Sequence, residues 1–489
     1  MNNVKRRSHQ SCLVAWMFHE LQPKYLVATL TAGVISGLMV VIYSISIAML
    51  IFSGPLAPFI STGLGFIFLN AIFIAPFVAF TNSLPGAIAD PQDVPASILA
   101  VMASEIVVQF PNDASASLPT VMMAISVTAF LVGSAFFLLG TFQLGHLSRF
   151  IPYPVIGGFL AGTGYLFVQG AFKVMTDQSL GWLQLPWLFQ PALLIRWMPG
   201  LVIASTLFIL LRRYNNTFLL PSLLAGFTVL FYLILRLSQT STASAREAGL
   251  LMEAFSGASL WQPLHWSMFS QVDWSLIADQ SGNIATTVLL SVIVLLLNAS
   301  GLDLATQQEI DLNRELRSAG MANLMVGLVG GTVGYQSLSL STLNCARIGA
   351  KSRLVGVVVA LICLLTWGLG DTLITLFPKP LLGGVLLYLG LSFLVEWLYD
   401  AWFRLSVTEY GMVVAILVTI AFRGVLPGVG AGLLISCFLW VVNYRWANDS
   451  SPPALASATS IELRVASEQL AARPTARLAA RLADSEKPR

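Results

Sequence analysis

Residues 152–162 read PYPVIGGFLAG, and 226 residues further on, residues 378–390 read PKPLLGGVLLYLG. Both copies are Pro, any residue, Pro, two branched aliphatics and Gly-Gly, followed by an apolar helix. Proline presets φ for a first helical turn, and small residues let one helix backbone approach another. Such an entrance occurring once is an ordinary helix start. Twice at a fixed separation, it points to a repeated architecture.

The surrounding composition says what solvent that architecture occupies. Hydrophobic residues make up 56% of the chain and charged residues 10%, whereas a soluble domain carries about 25% charged residues. Apolar runs long enough to cross a hydrocarbon core, which takes about 20 helical residues, recur from residue 25 almost to 444. Lipid leaves bare backbone amides unsatisfied, so these runs are read as helices of a polytopic, all-α membrane protein. Fourteen segments are predicted. Those at 25–52, 58–80, 118–142, 154–172, 198–211, 218–237, 284–303, 354–377, 381–398 and a pair over 412–444 are clear; 94–108, 319–333 and 337–347 are short or broken by glycine.

If the N-terminus is cytoplasmic and all fourteen cross, 14 Lys and Arg fall inside and 6 outside before the tail, as the positive-inside rule requires. Both termini are therefore expected in the cytoplasm and the chain in the inner cell membrane, with the lipid bilayer as its partner. The net charge of +3 is explained by inner basic loops and needs no nucleic acid. The sequence shows no nucleotide-binding glycine motif, no nucleophile paired with a base and no Cys/His metal set, which argues against an enzyme, a cofactor or a metal centre.

Residue 152 opens the fifth segment and residue 378 the twelfth. An offset of seven crossings, being odd, turns the second copy upside down. Inverted seven-span halves place a binding site at the midplane, between broken helices. A second pair keeps the offset: PGAIADPQDVPASILA (85–100) is the third segment, and GGTVGYQSLSLSTLN (330–344) is the tenth. Each has a glycine-containing approach, a glutamine (Gln92, Gln336) and a short helix. The expected organisation is a cytoplasmic N-terminus at 1–23, a first repeat at 24–237, an interfacial connection at 238–283, a second repeat at 284–445 and a cytoplasmic tail at 446–489.

IPYPVIGGFLAGTGYLFVQGA (151–171), DLNRELRSAGMANLMVGLVGG (311–331) and IGAKSRLVG (348–356) resemble the SulP family of anion transporters, over roughly residues 20 to 445. The resemblance implies seven plus seven inverted spans. Spans one to four and eight to eleven form a core, and five to seven with twelve to fourteen form a gate. It also implies a STAS domain after the last span, for which 446–489 is too short.

Where helices three and ten begin inside the membrane, their positive ends, each equivalent to about half a charge, face one another and suit an anion. The expected substrate residues are Tyr43 on the first span, Gln92, Asp93 and Val94 on one side and Gln336, Ser337, Leu338, Ser339 and Ser341 on the other. A polar stripe that glues helices together is the alternative reading of SLSLST. Two positions depart from the family pattern: Ser341 stands where many relatives carry Arg, and Ile42-Tyr43 where many carry Pro-Gln. With Asp93 close by, the site is less positive than expected for sulfate.

Asp303, in LLLNASGLDLATQQ, resembles the family's acidic coupling residue, with Asn298 on the same segment and Glu105 read as a second buried acid. A carboxylate inside a span is functional by default. The resulting expectation is a homodimeric secondary transporter of a small anion such as sulfate or bicarbonate, coupled to Na+ or H+ or working by exchange. An uncoupled channel and a substrate sensor are the alternatives.

Overall fold

The computed structural model describes residues 23–110, 114–145, 153–178, 188–214, 219–252, 266–369 and 377–425, with a few more up to 435. Thirteen helical elements correspond to the first thirteen segments. They are α1 (Pro23–Ile51), α2 (Ile60–Thr81), α3 (Asp93–Val108), α4 (Ala114–Thr141), α5 (Tyr153–Thr176), α6 (Pro191–Arg213) and α7 (Leu219–Leu237), then α8 (Ser281–Thr306), α9 (Leu312–Val329), α10 (Leu338–Thr342, running into π turns over Leu343–Ile348), α11 (Leu354–Leu369), α12 (Lys379–Leu394) and α13 (Val407–Arg423). The fourteenth segment, the N-terminal stretch before residue 23 and the tail at 446–489 lie mostly or wholly outside the described residues. Among the described residues, eight helices are long and apolar enough to cross a bilayer. Helix α7 is apolar yet only 11% buried, which suits a surface bathed in lipid rather than water.

The repeat is visible in the packing. Helix α4 lies along α9 while α11 lies along α2, and α12 lies along α6 while α5 lies along α13. Shifting every helix number by seven turns each pair into the other, which is the signature of two interlocked halves. The two Pro-x-Pro helices meet at the centre of this exchange. A Cβ on Gly164 would stand 2.9 Å from the Gly390 carbonyl, and one on Gly390 would stand 2.8 Å from the Gly164 carbonyl. Gly390 follows Gly164 by the same 226 residues as the motifs, so α5 and α12 cross at equivalent positions with their backbones in contact.

The other family motifs stitch helix ends together. Within DLNRELRSAG, Asp311 accepts the N–H groups of Asn313 and Arg314 at 3.0 and 3.1 Å, capping α9. Buried Glu315 accepts the N–H and hydroxyl of Ser83 at 2.7 and 2.5 Å, and Arg314 donates to the Thr81 carbonyl at 2.9 Å. Arg353 of IGAKSR donates to the Ala79 carbonyl at 2.7 Å and to the Asn82 side chain at 3.1 Å. Two basic side chains thus reach the exposed carbonyls at the end of α2, the pole that attracts positive charge.

The connection at 238–283 contains short helices at Thr242–Glu247, Trp266–Phe269 and Trp274–Asp279 among its described residues. It straps onto the start of α12, where the Lys379 N–H donates to the Leu250 carbonyl at 2.9 Å. Asp273 caps its last helix, and hydrogen bonds from the side chain of Ser275 and the N–H groups of Leu276 and Ser275 hold this exposed carboxyl below its ordinary range.

Candidate functional site

The chain between α2 and α3, and again between α9 and α10, cannot be helical throughout. Pro85, Gly86 and Pro91 interrupt the first stretch, and Gly330, Gly331 and Gly334 the second. Freed backbone groups inside an apolar body must pair with something, and here the two breaks pair with each other. Strand β1 (Ala89–Pro91) and strand β2 (Gly334–Gln336) form an antiparallel ribbon, with Asp90 opposite Tyr335. The ladder continues symmetrically: Gln92 N–H donates to the Val333 carbonyl at 3.2 Å, and Ser337 N–H to the Ile88 carbonyl at 3.1 Å. Ile88, Asp90, Gln92 and Ala96 therefore match Val333, Tyr335, Ser337 and Ser341, each 245 residues on. Gln92 and Ser337 are the N-caps of α3 and α10. This corrects the sequence pairing of Gln92 with Gln336 by one residue.

Three asparagines anchor the ribbon. Asn70 of α2 donates to the Thr332 carbonyl. Asn323 of α9 accepts the Gly334 N–H at 3.0 Å and donates to the Gly334 carbonyl at 2.5 Å. Asn298 of α8 donates to the Gln336 carbonyl at 3.0 Å. Asn298 is thus a support of the ribbon in this structure.

The remaining expected residues divide into those at the gap between the helix starts and those packed away from it. Asp93, Ser337, Leu338 and Ser339 are only partly buried or exposed. The Leu338 side chain lies over Gly301 of α8, leaving Asp93, Ser337 and Ser339 as the accessible groups. Tyr43 of α1 lies within electrostatic range of Asp93, Asp90 and Tyr388 of α12. Gln92 turns back on the ribbon, its amide donating to Asp90 Oδ1 at 2.6 Å and to the Tyr335 carbonyl at 3.0 Å. Val94 is buried among Ile98, Ala129 and Phe159. Ser341 is 0% exposed, and its hydroxyl is held by both backbone groups of Ile88, at 3.1 and 3.2 Å. Gln336 is buried with neither amide atom hydrogen-bonded.

The acids fall elsewhere than the sequence suggests. Glu105 is exposed, three residues from the end of α3, and accepts a 2.9 Å hydrogen bond from Asn283. It is not a buried acid, because α3 ends just beyond it. Asp303 is half-buried in the last turn of α8. It lies five residues beyond Asn298, about 7.5 Å along the axis and roughly 140° around it. Asp90, absent from the residues expected above, is the acid in the ribbon itself. Its signal was present: two aspartates in ADPQD break an otherwise apolar stretch.

The two helix starts differ electrically. At α3, the Asp93 carboxylate faces its own N–H and accepts that of Val94 at 2.8 Å, and Pro95 has no N–H to offer. At α10 no side chain caps the start, so its first-turn N–H groups have no intrahelical partner.

Interlocked halves, apolar spanning helices and two broken helices meeting at a central ribbon define a membrane transporter fold. The chain belongs to the sulfate permease family, whose model matches residues 26–418. Among curated relatives, the vacuolar basic amino acid transporter VSB1 of Saccharomyces cerevisiae is 27% identical over 66% of this chain and 32% of its own length. The bicarbonate transporter BicA of a Picosynechococcus is 24% identical over 67% of this chain and 56% of its own. The chain therefore spans only about one third to just over one half of those two relatives. In fold it resembles the transmembrane domain of a cyanobacterial BicA, with a TM-score of 0.65 at 19% identity over 84% of this chain and 98% of that one. It also resembles murine Slc26a9, with a TM-score of 0.68 at 16% identity over 88% and 70%.

Proposed function

We propose that the chain is a secondary active transporter whose solute binds between the starts of α3 and α10 and crosses as α1–α4 with α8–α11 slide, elevator-like, against α5–α7, α12 and α13. The observation that carries this is the ribbon, which holds two opposed helix starts beside partly exposed Asp93, Ser337 and Ser339. Family membership supports a small charged solute, and the relatives' names cover both signs, bicarbonate and basic amino acids. A small anion moved with Na+ or H+, or exchanged, is the reading that the family's name favours. The test is flux in liposomes holding the purified chain, with sulfate, bicarbonate, chloride, arginine and lysine offered with and without ion gradients. Failure to move or exchange any of them would sink the transporter reading.

Two expectations accompany it. If fourteen spans cross with both termini inside, a cysteine replacing Ser241 in a background without Cys12, Cys345, Cys363 and Cys437 labels from outside, and one replacing Arg404 labels from inside. The opposite accessibility at either position would overturn that topology. If Asp303 carries the driving cation, Asp303→Asn loses concentrative uptake but keeps exchange, because solute and cation affinities are linked by about 5- to 150-fold. Undiminished accumulation under every gradient would remove Asp303 from coupling.

A further inference from the structure

The crossing itself bears on the sign of the solute. No Lys or Arg occurs between Lys24 and Arg149, or between Arg317 and Arg347, the stretches that build both helix starts. Neither Asp90 nor Asp93 is in an ion pair among the described residues, and Asp90 is 6% exposed. Buried carboxylates persist only when protonated or matched by a positive charge. The described chain supplies no such charge at the crossing.

The helix starts do not supply it either. A helix start is worth about half a positive charge, and at α3 the Asp93 carboxyl sits on it, accepting the Asp93 and Val94 N–H groups. The α3 side is therefore net negative when Asp93 is ionised. The segment Leu338–Ile348 opposite keeps its positive end.

A second observation points to a ligand here. Tyr335 lies directly across the ribbon from Asp90, on the same face, and within electrostatic range of both carboxylates. It is 0% exposed, and its hydroxyl faces Ser291 without reaching hydrogen-bond geometry, so neither oxygen has a partner. Leaving a buried polar group unpaired costs about 1–3 kcal/mol, and Tyr335, like Gln336 beside it, is a polar group that the packing of the ribbon leaves unmatched.

We propose that the transported solute carries an ammonium or guanidinium group that pairs with Asp93 beside Asp90 and Tyr335, and that its own carboxylate, if it has one, faces Ser337 and Ser339. A basic amino acid is the simplest solute with both ends. This rests on the transporter reading and fixes the charge of what is moved.

The test is counterflow, which needs no driving gradient. Liposomes holding the full chain are loaded with unlabelled arginine, and entry of radiolabelled arginine is followed; parallel sets use lysine, sulfate and bicarbonate. Arginine or lysine is expected to enter at least about tenfold faster than into protein-free liposomes, and Asp93→Asn to reduce that exchange at least about tenfold, the scale of one hydrogen bond to a charged group. Elution profile and melting temperature show whether the variant folds, and the wild-type solute profile decides the matter if it does not. Exchange of sulfate or bicarbonate without arginine or lysine overturns the proposal and leaves the transporter reading standing. Exchange of none overturns both, and arginine exchange undiminished in folded Asp93→Asn removes Asp93 from the site.

Discussion

Replacing Gly164 with leucine is expected to leave little or no folded protein. The first added atom would meet the Gly390 carbonyl at 2.9 Å, the Phe393 Cβ at 2.9 Å and the Leu394 N–H nitrogen at 3.1 Å. Two of these three are backbone atoms, which cannot turn aside as a side chain can. Overpacking costs about 1–3 kcal/mol where side chains can shift, and more where they cannot. Separating α5 from α12 would also disturb their packing on α13 and α6. Gly226→Leu on α7 is the control, because nothing lies within 4 Å of a Cβ there. The measurement is the yield of monodisperse protein and its melting temperature in detergent. A Gly164→Leu protein melting with the wild type would show that α5 and α12 do not meet as described.

Ser339→Phe is expected to abolish exchange while leaving the melting temperature near that of the wild type. Ser339 is exposed in the first turn of α10, so a ring there projects into the space that a solute needs without displacing packed atoms. Val94→Phe, at the matching start of α3, should do the reverse and lose the fold first. Val94 is 1% exposed and packed with Ile98, Ala129, Val132 and Phe159. The readout is radiolabelled counterflow of whichever tested ion the wild type exchanges, beside a melting curve. Wild-type exchange by a folded Ser339→Phe protein would place the solute elsewhere.

The contrast between these neighbours shows how far the sequence could be read. Solvent, helix positions and the inverted repeat follow from composition, run length and two motifs at matching offsets, because lipid leaves few alternatives for a backbone. Positions inside the crossing did not follow. Residue type matches Gln92 to Gln336, whereas the ladder pairs backbone groups and takes no account of side-chain identity. Ser341 and Ser339 occupy the same SLSLST pattern, yet one hydroxyl is held by Ile88 and the other residue faces open space. That difference arises from which side of α10 meets the ribbon, a tertiary fact. The apolar neighbours of Glu105 imply burial, and only the end of α3 reveals that it has left the packed body. Asp90 is not legible as a site residue because a single strand gives no hint that a tyrosine from the other repeat lies opposite.

The ribbon also acts as a gauge. Because α3 and α10 hang from one short ladder fastened by Asn70, Asn298 and Asn323, neither helix start can approach or retreat from the other without breaking hydrogen bonds. The spacing between them is set by the lengths of those bonds. On the proposed transport reading, a solute would be measured against a fixed caliper before anything moves, and the same caliper would travel with it.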